Sequence, residues 1–435
     1  MNPLLVDLYE LTMAQAWWRR GPQPTATFSL FCRRLPPGRN FLVAAGLDGA
    51  LAFLEGLRFD TGPLAGRFDP AFLAWLGELR FTGDVRAVPE GTVVFADEPL
   101  IEVTAPMVEA QLVETWLMNH VHYQTLVASK AARVVAAAAG RPVYDFGLRR
   151  YHGADAGLYA ARACWIAGCA GTSNVLAGHA WPEIPVVGTM AHSWVQAVGD
   201  ELAAFRRFAA EWPETTLLVD TYDTREGVRN VVRLARELGD AFRVRAVRID
   251  SGDLDALSRA ARRILDDAGL AGVRVVASGG LDEHAVARLV TGAAPIDAFG
   301  VGTAMGTSTD APALDLVYKL VAVDGRGTIK LSPGKRTLPG AKQVFRAADR
   351  DVIVRAGEAG EGRPLLVEVM RGGRRLAGPG LAEARGRCAR EVAALPPELR
   401  GLAPATWPVE VGPALARDAE ACARAVGRRS WGSAG

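Results

Sequence analysis

Short apolar runs alternate with amphipathic stretches of helical period through the middle of this 435-residue chain, from about residue 125 to residue 319. The predicted strands cover residues 143–146, 184–188, 216–220, 246–250, 273–278 and 298–302. Helices are predicted between them, over residues 155–166, 194–211, 224–238, 254–268 and 282–290. Repeated strand-helix-strand units require parallel strands joined by right-handed crossovers. The pattern therefore predicts either a barrel or a doubly wound sheet.

Small or polar residues end nearly every predicted strand, and this favours the barrel. The ends are Asp145-Phe146-Gly147, residues 188–192, Asp220, Asp250-Ser251-Gly252, Ser278-Gly279-Gly280 and Gly300-Val301-Gly302-Thr303. In an α/β barrel, the face at the carboxyl ends of the strands carries the active site. We therefore predict an α/β barrel over residues 125–319, with its active site formed by these ends.

The segments on either side of the barrel predict a second domain of mixed α and β structure. Residues 86–106 have strand patterns on both sides of a turn, and residues 316–323 and 329–354 could return to complete the same sheet. The predicted domains are thus residues 1–124, completed by part of 320–435, and the barrel at 125–319. The composition from about residue 356 onward drifts toward Arg, Gly, Ala and Pro, and we expect that part to be peripheral.

Composition and charge narrow the class of protein. The chain is 49% hydrophobic, which is enough for a sizeable core. A formal net charge of +2 gives no global field that would favour a nucleic acid or a membrane surface as partner. The N-terminal residues lack a basic region, no apolar run is long enough to span a bilayer, and the five cysteines form no paired pattern. We expect a cytoplasmic protein with reduced thiols.

Two glycine-rich strand ends are candidate phosphate-binding loops. They are Ser278-Gly279-Gly280 and Gly300-Val301-Gly302-Thr303, and each precedes a predicted helix start. Glycine allows backbone N–H groups to approach a phosphate closely, and the last two strands of a barrel commonly hold one. Tight turns without a ligand are the alternative interpretation.

Several charged residues lie at the same strand ends. Asp250 suits ribose hydroxyls or Mg²⁺, whereas Ser251 or Asp253 could simply cap the next helix. Arg149 and Arg248 could bind a carboxylate or a phosphate. His192 follows a glycine turn and could act as a nucleophile toward a phosphoryl group or as a general acid or base.

Two other enzyme classes fit the sequence less well. Residues 217–224 loosely match the pyrophosphate motif of the sheet-type phosphoribosyltransferases, but they lack its adjacent acids and the following small loop. An aldolase that forms a Schiff base would need a lysine on a barrel strand, and none lies between Lys130 and Lys319.

Seven segments together resemble the nicotinate phosphoribosyltransferase family, from residue 5 to about residue 346. They are DLYELTM at 7–13, FCRRLP at 31–36, DFGLRR at 145–150, GTSN at 171–174, GTMAH at 188–192, RIDSGD at 248–253 and FGVGT at 299–303. Their order and spacing together are specific. The resemblance implies an irregular α/β barrel plus a second α+β domain assembled from the N- and C-terminal parts of the chain. It also implies a homodimer with shared active sites.

The resemblance further implies a reaction in the biosynthesis and salvage of NAD. Nicotinate and phosphoribosyl pyrophosphate would give nicotinate mononucleotide and pyrophosphate, driven by ATP as co-substrate in a ligase-type reaction. His192 would be transiently phosphorylated by ATP. Mg²⁺ is the expected cofactor, because a metal ion and the arginines would help pyrophosphate to leave. The resemblance assigns no metal ligands.

Binding roles follow from the same matching positions. Phe146 would stack on the pyridine ring, and Tyr9 of the neighbouring subunit would close its other face. Arg149 and Arg248 would bind the carboxylate, pyrophosphate or ribose phosphate, Asp250 would bind the ribose, and Thr189 would lie with the substrate-binding residues. The 5′-phosphate would be held by Gly279, Gly280, Gly302 and Thr303, with Arg33 reaching across the dimer.

Ser173 bears on substrate choice. Relatives that prefer nicotinamide carry an Asp at the matching position, whereas a neutral Ser favours nicotinate because an Asp would repel its carboxylate. A nicotinamide-preferring enzyme of the same fold is therefore the nearest alternative. A decarboxylating quinolinate enzyme would not need His192 or ATP, and a non-catalytic nucleotide-binding barrel would not need His192 or Asp250.

Overall fold

In the computed structural model, which describes residues 2–332, 334–335, 337–378 and 380–431, the middle of the chain forms one six-stranded parallel sheet. In spatial order its strands are Gly171–Thr172, Val143–Asp145, Ala298–Val301, Arg274–Ser278, Ala246–Ile249 and Thr216–Leu218. The sheet is curled into a half-barrel, so the predicted α/β barrel fold, in its irregular form, is confirmed.

Helices follow the strands of this half-barrel. They span Ala154–Ile166, Val175–Ala180, His192–Val198, Glu201–Glu211, Thr224–Leu238, Leu254–Asp267, Glu283–Thr291 and Thr303–Gly306. Aspartates cap four of them, and the Asp223 side chain, for example, accepts from the Glu226 backbone N–H at 2.8 Å. An aspartate at this position satisfies a backbone donor that the helix itself leaves open, and so fixes where the helix begins.

The amphipathic period determines which face of these helices packs on the sheet. Helix Thr224–Leu238 buries Val228, Val231 and Leu234, while its arginines lie on the other face. The buried residues pack in one cluster with strand residues such as Leu217 and Val247. Each such fully buried side chain contributes roughly 1.5–3 kcal/mol relative to an exposed one.

Two predicted elements differ from the structure for local reasons. Residues 184–188 are not a strand but form a single parallel bridge between Val186 and Thr172, because Pro185 has no N–H to donate to a ladder. The helix predicted over 194–211 is two helices. Gly199 ends the first with a φ of 82°, and Asp200 caps the second.

Contacts divide the chain into two compact units. The second unit comprises Lys130–Pro312 and Arg400–Leu402, and the described residues of the first fall within Met1–Ser129, Ala313–Leu399 and Ala403–Gly435. The last part of helix Glu114–Ala137, from Lys130, therefore belongs to the second unit.

A seven-stranded antiparallel sheet dominates the first unit. In spatial order its strands are Arg326–Gly327, Leu316–Val323, Thr25–Cys32, Pro99–Pro106, Asp84–Ala87, Val367–Arg371 and Arg374–Arg375. Two smaller sheets contain Arg363–Pro364, Lys342–Arg346, Asp351–Arg355 and Val409–Val411, and Leu42–Val43 with Val93–Val94. The helices that lie wholly or mainly in the first unit are Leu8–Trp18, Leu47–Glu55, Pro70–Glu78, Met107–Leu112, Glu114–Ala137, Leu381–Ala394, Pro397–Arg400 and Pro413–Trp431.

The part beyond residue 356 is not wholly peripheral, contrary to the expectation from its composition. Strand Val367–Arg371 pairs with Asp84–Ala87 in the large sheet, and Leu365, Leu366 and Met370 are buried in the core of the first unit. None of the five cysteines, all within the described residues, is joined by a disulfide. Within the described part of the chain, no helix has both the length and the apolar character needed to cross a membrane.

Candidate active site

Two adjoining cavities open at the carboxyl edge of the half-barrel. The first, of about 310 Å³, is lined by Phe146, Leu148, Arg149, Ser173, Gly188, Thr189, Met190, Ala191, His192, Arg248 and Asp250. The second, of about 330 Å³, is lined by Phe146, Arg149, Arg150, Arg248, Asp250, Ser278, Gly279, Gly280, Leu281, Gly300, Gly302, Thr303, Ala304 and Thr309. Parallel strands in register bring their ends to one edge, so residues up to about 160 positions apart line a common space.

A buried carboxylate fixes the loop that carries Phe146. Asp145 accepts hydrogen bonds from the Gly147 backbone N–H at 3.0 Å, from Thr172 Oγ1 at 2.8 Å and from the Tyr151 hydroxyl. Burial raises the pKa of Asp145, while these three donors act in the opposite direction. Charge-assisted bonds of this kind hold the strand end rigidly beneath Phe146.

The Phe146 ring lies over Gly300 of the neighbouring strand. A Cβ at position 300 would come within 2.4 Å of Phe146 Cδ2, so the ring occupies space that only glycine leaves open. The Phe146 backbone N–H donates to the Val301 carbonyl at 2.9 Å, which extends the sheet pairing into the loop. Phe146 is half-buried, and its ring forms a flat apolar surface shared by both cavities.

Arg248 and Asp250 lie at the carboxyl edge of the half-barrel, where they line both cavities. Arg248 Nη1 donates to Asp250 Oδ1 at 3.2 Å and to Ser278 Oγ at 3.3 Å, and Nη2 donates to the Met190 carbonyl at 3.2 Å. Burial lowers the pKa of Arg248, and Asp250 opposes that shift. The buried Nε of Arg248 has no hydrogen-bond partner among the described residues. An unsatisfied donor here suits an anionic ligand.

His192 is oriented by a hydroxyl on one side and faces a carboxylate on the other. Its Nδ1 lies 3.2 Å from Thr221 Oγ1, and its Nε2 lies 3.9 Å from Asp250 Oδ2. The side chain is 40% exposed at the start of helix His192–Val198. The ring is therefore open to a ligand in the first cavity.

Ser173, Arg149 and Thr189 complete the first cavity. The Ser173 backbone N–H donates to the Asp145 carbonyl at 2.9 Å, so the same strand end that supports Phe146 also holds Ser173. Thr189 Oγ1 donates to the Met190 carbonyl at 3.0 Å. Arg149 is exposed in the short 3-10 helix Leu148–Arg150 and lines both cavities.

The glycine-rich ends lie in the second cavity. Gly279 has a φ of 87°, and a Cβ there would stand 1.8 Å from the Asp250 carbonyl oxygen. Gly280 has a φ of 64°, and no atom lies within 4 Å of its Cβ position. Gly302 packs its backbone against Phe146 and Gly147, with a Cβ position 3.0 Å from the Phe146 carbonyl oxygen. The close approaches explain glycine at positions 279 and 302, and the positive φ explains glycine at position 280.

Two predicted site residues belong to the first unit and do not line these cavities. Tyr9 lies in helix Leu8–Trp18 and is 46% exposed. Burial and the nearby Glu114 and Glu10 raise its pKa. Arg33 lies 3.8 Å from Asp315 at Nη1, and its buried Nε has no hydrogen-bond partner among the described residues.

Asp220 and Thr221 also belong to the site, although the sequence alone assigns them no role. Asp220 Oδ2 accepts from the Asp250 backbone N–H at 3.0 Å and from Ser251 Oγ at 2.6 Å, and Thr221 contacts His192. Their position just after strand Thr216–Leu218 is the sequence signal for them, because the other strand ends also carry residues of the site. Asp253 is the cap of helix Leu254–Asp267, as the alternative interpretation had it.

The described residues contain no group of three or more His, Cys, Asp or Glu side chains that could hold a metal ion. Mg²⁺ commonly uses only one or two carboxylates and takes its other ligands from phosphates and water. Asp220 suits this mode, because its buried Oδ1 has no hydrogen-bond partner among the described residues.

Comparison with protein families gives two matches to this chain. Residues 4–122 match the nicotinate phosphoribosyltransferase N-terminal domain, and residues 142–349 match the nicotinate phosphoribosyltransferase family. The chain is 54% identical over 414 residues to the nicotinate phosphoribosyltransferase pncB2 of Mycobacterium tuberculosis, covering 92% of this chain and 89% of that protein. The chain belongs to the nicotinate phosphoribosyltransferase family.

Other proteins are similar to this chain over comparable lengths. The nicotinate phosphoribosyltransferase of Bacillus subtilis is 46% identical over 79% of this chain and 72% of its own length. The crystal structure of human nicotinic acid phosphoribosyltransferase superposes with a TM-score of 0.83 at 30% identity, covering 95% of this chain and 99% of that one. A nicotinate-nucleotide pyrophosphorylase from Pyrococcus furiosus superposes with a TM-score of 0.76 at 27% identity, covering 90% and 95%.

Proposed function

We propose that this protein transfers a phosphoribosyl group from phosphoribosyl pyrophosphate to nicotinate, coupled to ATP hydrolysis. One observation carries the proposal: the first cavity combines an aromatic face, arginines and a neutral Ser173, and shares Phe146, Arg149, Arg248 and Asp250 with the glycine-lined second cavity. A flat anionic ring and a phosphorylated sugar are the pair of ligands that such joined cavities suit.

Nicotinate would occupy the first cavity. Its pyridine ring would stack on Phe146, because offset stacking orients a flat ring at low entropic cost. Its carboxylate would face Arg149 and Arg248, with Thr189 on the same wall of the cavity. Ser173 adds no negative charge there, and this supports the acid rather than the amide as substrate.

Phosphoribosyl pyrophosphate would occupy the second cavity and the shared centre. The 5′-phosphate would accept from the backbone N–H groups of Gly279, Gly280 and Gly302 and from Thr303, and Asp250 would accept from ribose hydroxyls. The support is the positive φ of Gly279 and Gly280, which turns the backbone around an open space.

The transfer itself needs one bond to form and one to break. The pyridine nitrogen forms a bond to ribose C1, the bond from C1 to the pyrophosphate oxygen breaks, and pyrophosphate leaves with the electron pair. Asp250 and the arginines would stabilise the opposite charges that develop on ribose and pyrophosphate. Asp220 is the residue best suited to hold Mg²⁺, which would supply charge neutralisation at pyrophosphate when bound.

ATP coupling would act through His192. Nε2 would attack the γ-phosphorus of ATP, the bond to the bridging oxygen would break, and ADP would leave. Water would later hydrolyse the phosphohistidine to histidine and phosphate. The support is that Thr221 contacts Nδ1, which leaves Nε2 facing the cavity.

We also propose a homodimer with shared active sites. Tyr9 would close the second face of the pyridine ring in the neighbouring subunit, and Arg33 would reach the phosphates there. Exposed apolar side chains surround Tyr9 on the same segment, namely Leu5, Leu8 and Met13. An apolar surface of this kind is typical of an interface.

Product analysis tests the proposal. Purified protein given nicotinate and phosphoribosyl pyrophosphate is expected to form nicotinate mononucleotide and one pyrophosphate per nucleotide. Phe146→Ala should raise the KM for nicotinate and largely spare that for phosphoribosyl pyrophosphate. Failure of the wild-type protein to form any pyridine nucleotide, with its fold verified by circular dichroism, would overturn the proposal.

A further inference from the structure

A cluster of four charged residues, three of them buried, lies behind the glycine-rich loops, and the proposed chemistry does not use it. Lys130 Nζ lies 2.5 Å from Glu283 Oε2 and 2.7 Å from Asp310 Oδ1, and Arg133 Nε lies 3.3 Å from Glu283 Oε1. The side chains of Lys130 and Glu283 are 2% and 0% exposed. Burying charges is costly even when they are paired, so a cluster in this position calls for a functional account.

The two carboxylates of the cluster come from the two candidate phosphate loops. Glu283 is the first residue of helix Glu283–Thr291, which follows Gly279, Gly280 and Leu281 of the second cavity. Asp310 directly follows Thr309, which lines the same cavity beyond Thr303. Lys130 thus binds both loops at positions one or two residues beyond the cavity wall.

We propose that Lys130 is a positioning residue for the phosphate site, joining the two glycine-rich loops from behind at the spacing that one phosphate requires. It has no direct contact with substrate. This inference rests on the proposed function, since it names the 5′-phosphate of phosphoribosyl pyrophosphate as the group whose site is held.

Charge and geometry both support this role. Glu283 carries a negative charge only a few residues after a loop that is proposed to bind an anion. Lys130 and Arg133 neutralise this charge without entering the cavity. A single ammonium that contacts both carboxylates also fixes the separation of their loops, whereas two independent ion pairs would not. Lys130 is the only lysine of the second unit.

Three variants of the full chain test the proposal. Lys130→Met removes the positive charge at similar side-chain volume, and Lys130→Arg keeps a positive charge at that position. Asp310→Asn weakens only the ion pair between Lys130 and the second loop. A matched control exists in the first unit, where Lys342 is also buried and lies 3.2 Å from the buried Glu102. Lys342→Met should therefore lower stability in the same way without a phosphate-loop effect.

Kinetics and binding of inorganic phosphate are measured together. Lys130→Met is expected to raise the KM for phosphoribosyl pyrophosphate and the Kd for inorganic phosphate by about tenfold or more, and to change the KM for nicotinate by less than about twofold. Asp310→Asn should give a smaller change in the same direction. Lys130→Arg should restore most of the affinity, and Lys342→Met should leave both constants unchanged.

Two outcomes would overturn the inference. One is unchanged affinity for phosphate and phosphoribosyl pyrophosphate in folded Lys130→Met or, if that variant does not fold, in Asp310→Asn. The other is an equal rise of all constants in the Lys130 and Lys342 variants, which would indicate a general loss of stability. If the wild-type protein binds phosphate but forms no nucleotide, the proposed function fails, while the phosphate titrations still test Lys130.

Discussion

Gly279→Ala is the substitution whose effect the structure predicts most directly. The Cβ of an alanine at this position would stand 1.8 Å from the Asp250 carbonyl oxygen, so the glycine loop and the Asp250 strand end must separate by about 1 Å or more. Both segments line the second cavity. The substitution should therefore disturb the phosphate site and the ribose-binding carboxylate together.

The expected loss has two parts that can be separated. The positive φ of Gly279 costs an alanine roughly 1–2 kcal/mol of stability. Displacement of binding groups by about 1 Å can lower catalytic efficiency by about 100-fold, which corresponds to about 2.7 kcal/mol of transition-state stabilisation. Gly269→Ala is the matched control, because Gly269 has a φ of 77° and no atom within 4 Å of its Cβ position.

The assay is kcat/KM for phosphoribosyl pyrophosphate at saturating nicotinate, together with the thermal midpoint of each variant. Both alanine variants should lose stability through the positive φ, and Gly279→Ala should lose more because of its clash with Asp250, but only Gly279→Ala should lose catalytic efficiency. Equal kcat/KM in the two variants would refute the argument from the close approach of Gly279 to Asp250. A loss of kcat/KM in both Gly279→Ala and Gly269→Ala would assign the effect to reduced stability instead.

His192→Asn should abolish the ATP hydrolysis that accompanies nucleotide formation while leaving the circular dichroism spectrum unchanged; undiminished coupling would contradict the phosphohistidine. Ser173→Asp should lower the preference for nicotinate over nicotinamide, as the ratio of kcat/KM values, by about tenfold or more; an unchanged ratio would remove Ser173 from substrate choice. At nicotinate concentrations well below the KM of the variants, Tyr9→Ala and Phe146→Ala subunits should each be nearly inactive alone and should regain about a quarter of wild-type activity when mixed, because half of the random dimers carry one intact site; no recovery would place both residues in one chain. Burial raises the pKa of Glu10 from 4.5 to about 7, so the folded state retains a proton that the unfolded state loses in this window. The free energy of unfolding should therefore fall by about 3 kcal/mol as the pH rises through the window, and urea titrations of Glu10→Gln should show a weaker fall.

The period of the apolar residues was sufficient to predict most of the half-barrel. Five of the six predicted strands are present within one or two residues, because a buried parallel strand needs a continuous apolar run. The helix starts were also visible, since Asp223, Asp253 and Asp282 stand just before the amphipathic stretches that they cap. Local signals of this kind act over a few residues and survive in any tertiary context.

Structure and sequence prediction differ where a continuous apolar period hides a break in a helix and where strands pair over a long distance along the chain. Gly199 followed by Asp200 is a helix end and a helix start, but the apolar period continues across them. Strand Val367–Arg371 pairs with a strand 280 or more residues earlier, and its Arg- and Gly-rich surroundings give no indication of that partner. Composition alone does not predict which edge of a sheet a late segment joins.

The candidate site was also predictable only in part: the sequence indicates which residues lie together, but it does not indicate their side-chain contacts. The strand-end position of Phe146, Arg248 and Asp250 was enough to predict that they lie together, because parallel register brings these ends to one edge. The side-chain contacts were not predictable. Lys130 lies 153 positions from Glu283, and no periodicity relates a helix residue to the carboxylate that it binds.

A substrate panel tests the central claim most directly. Nicotinate, nicotinamide and quinolinate are each supplied with phosphoribosyl pyrophosphate, with and without ATP, and the pyridine nucleotide formed is measured together with phosphate released from ATP. The account predicts rapid nucleotide formation from nicotinate, stimulated by ATP and accompanied by ATP hydrolysis, with little product from the other two. Preference for nicotinamide or quinolinate, or product from nicotinate without any effect of ATP, would contradict it.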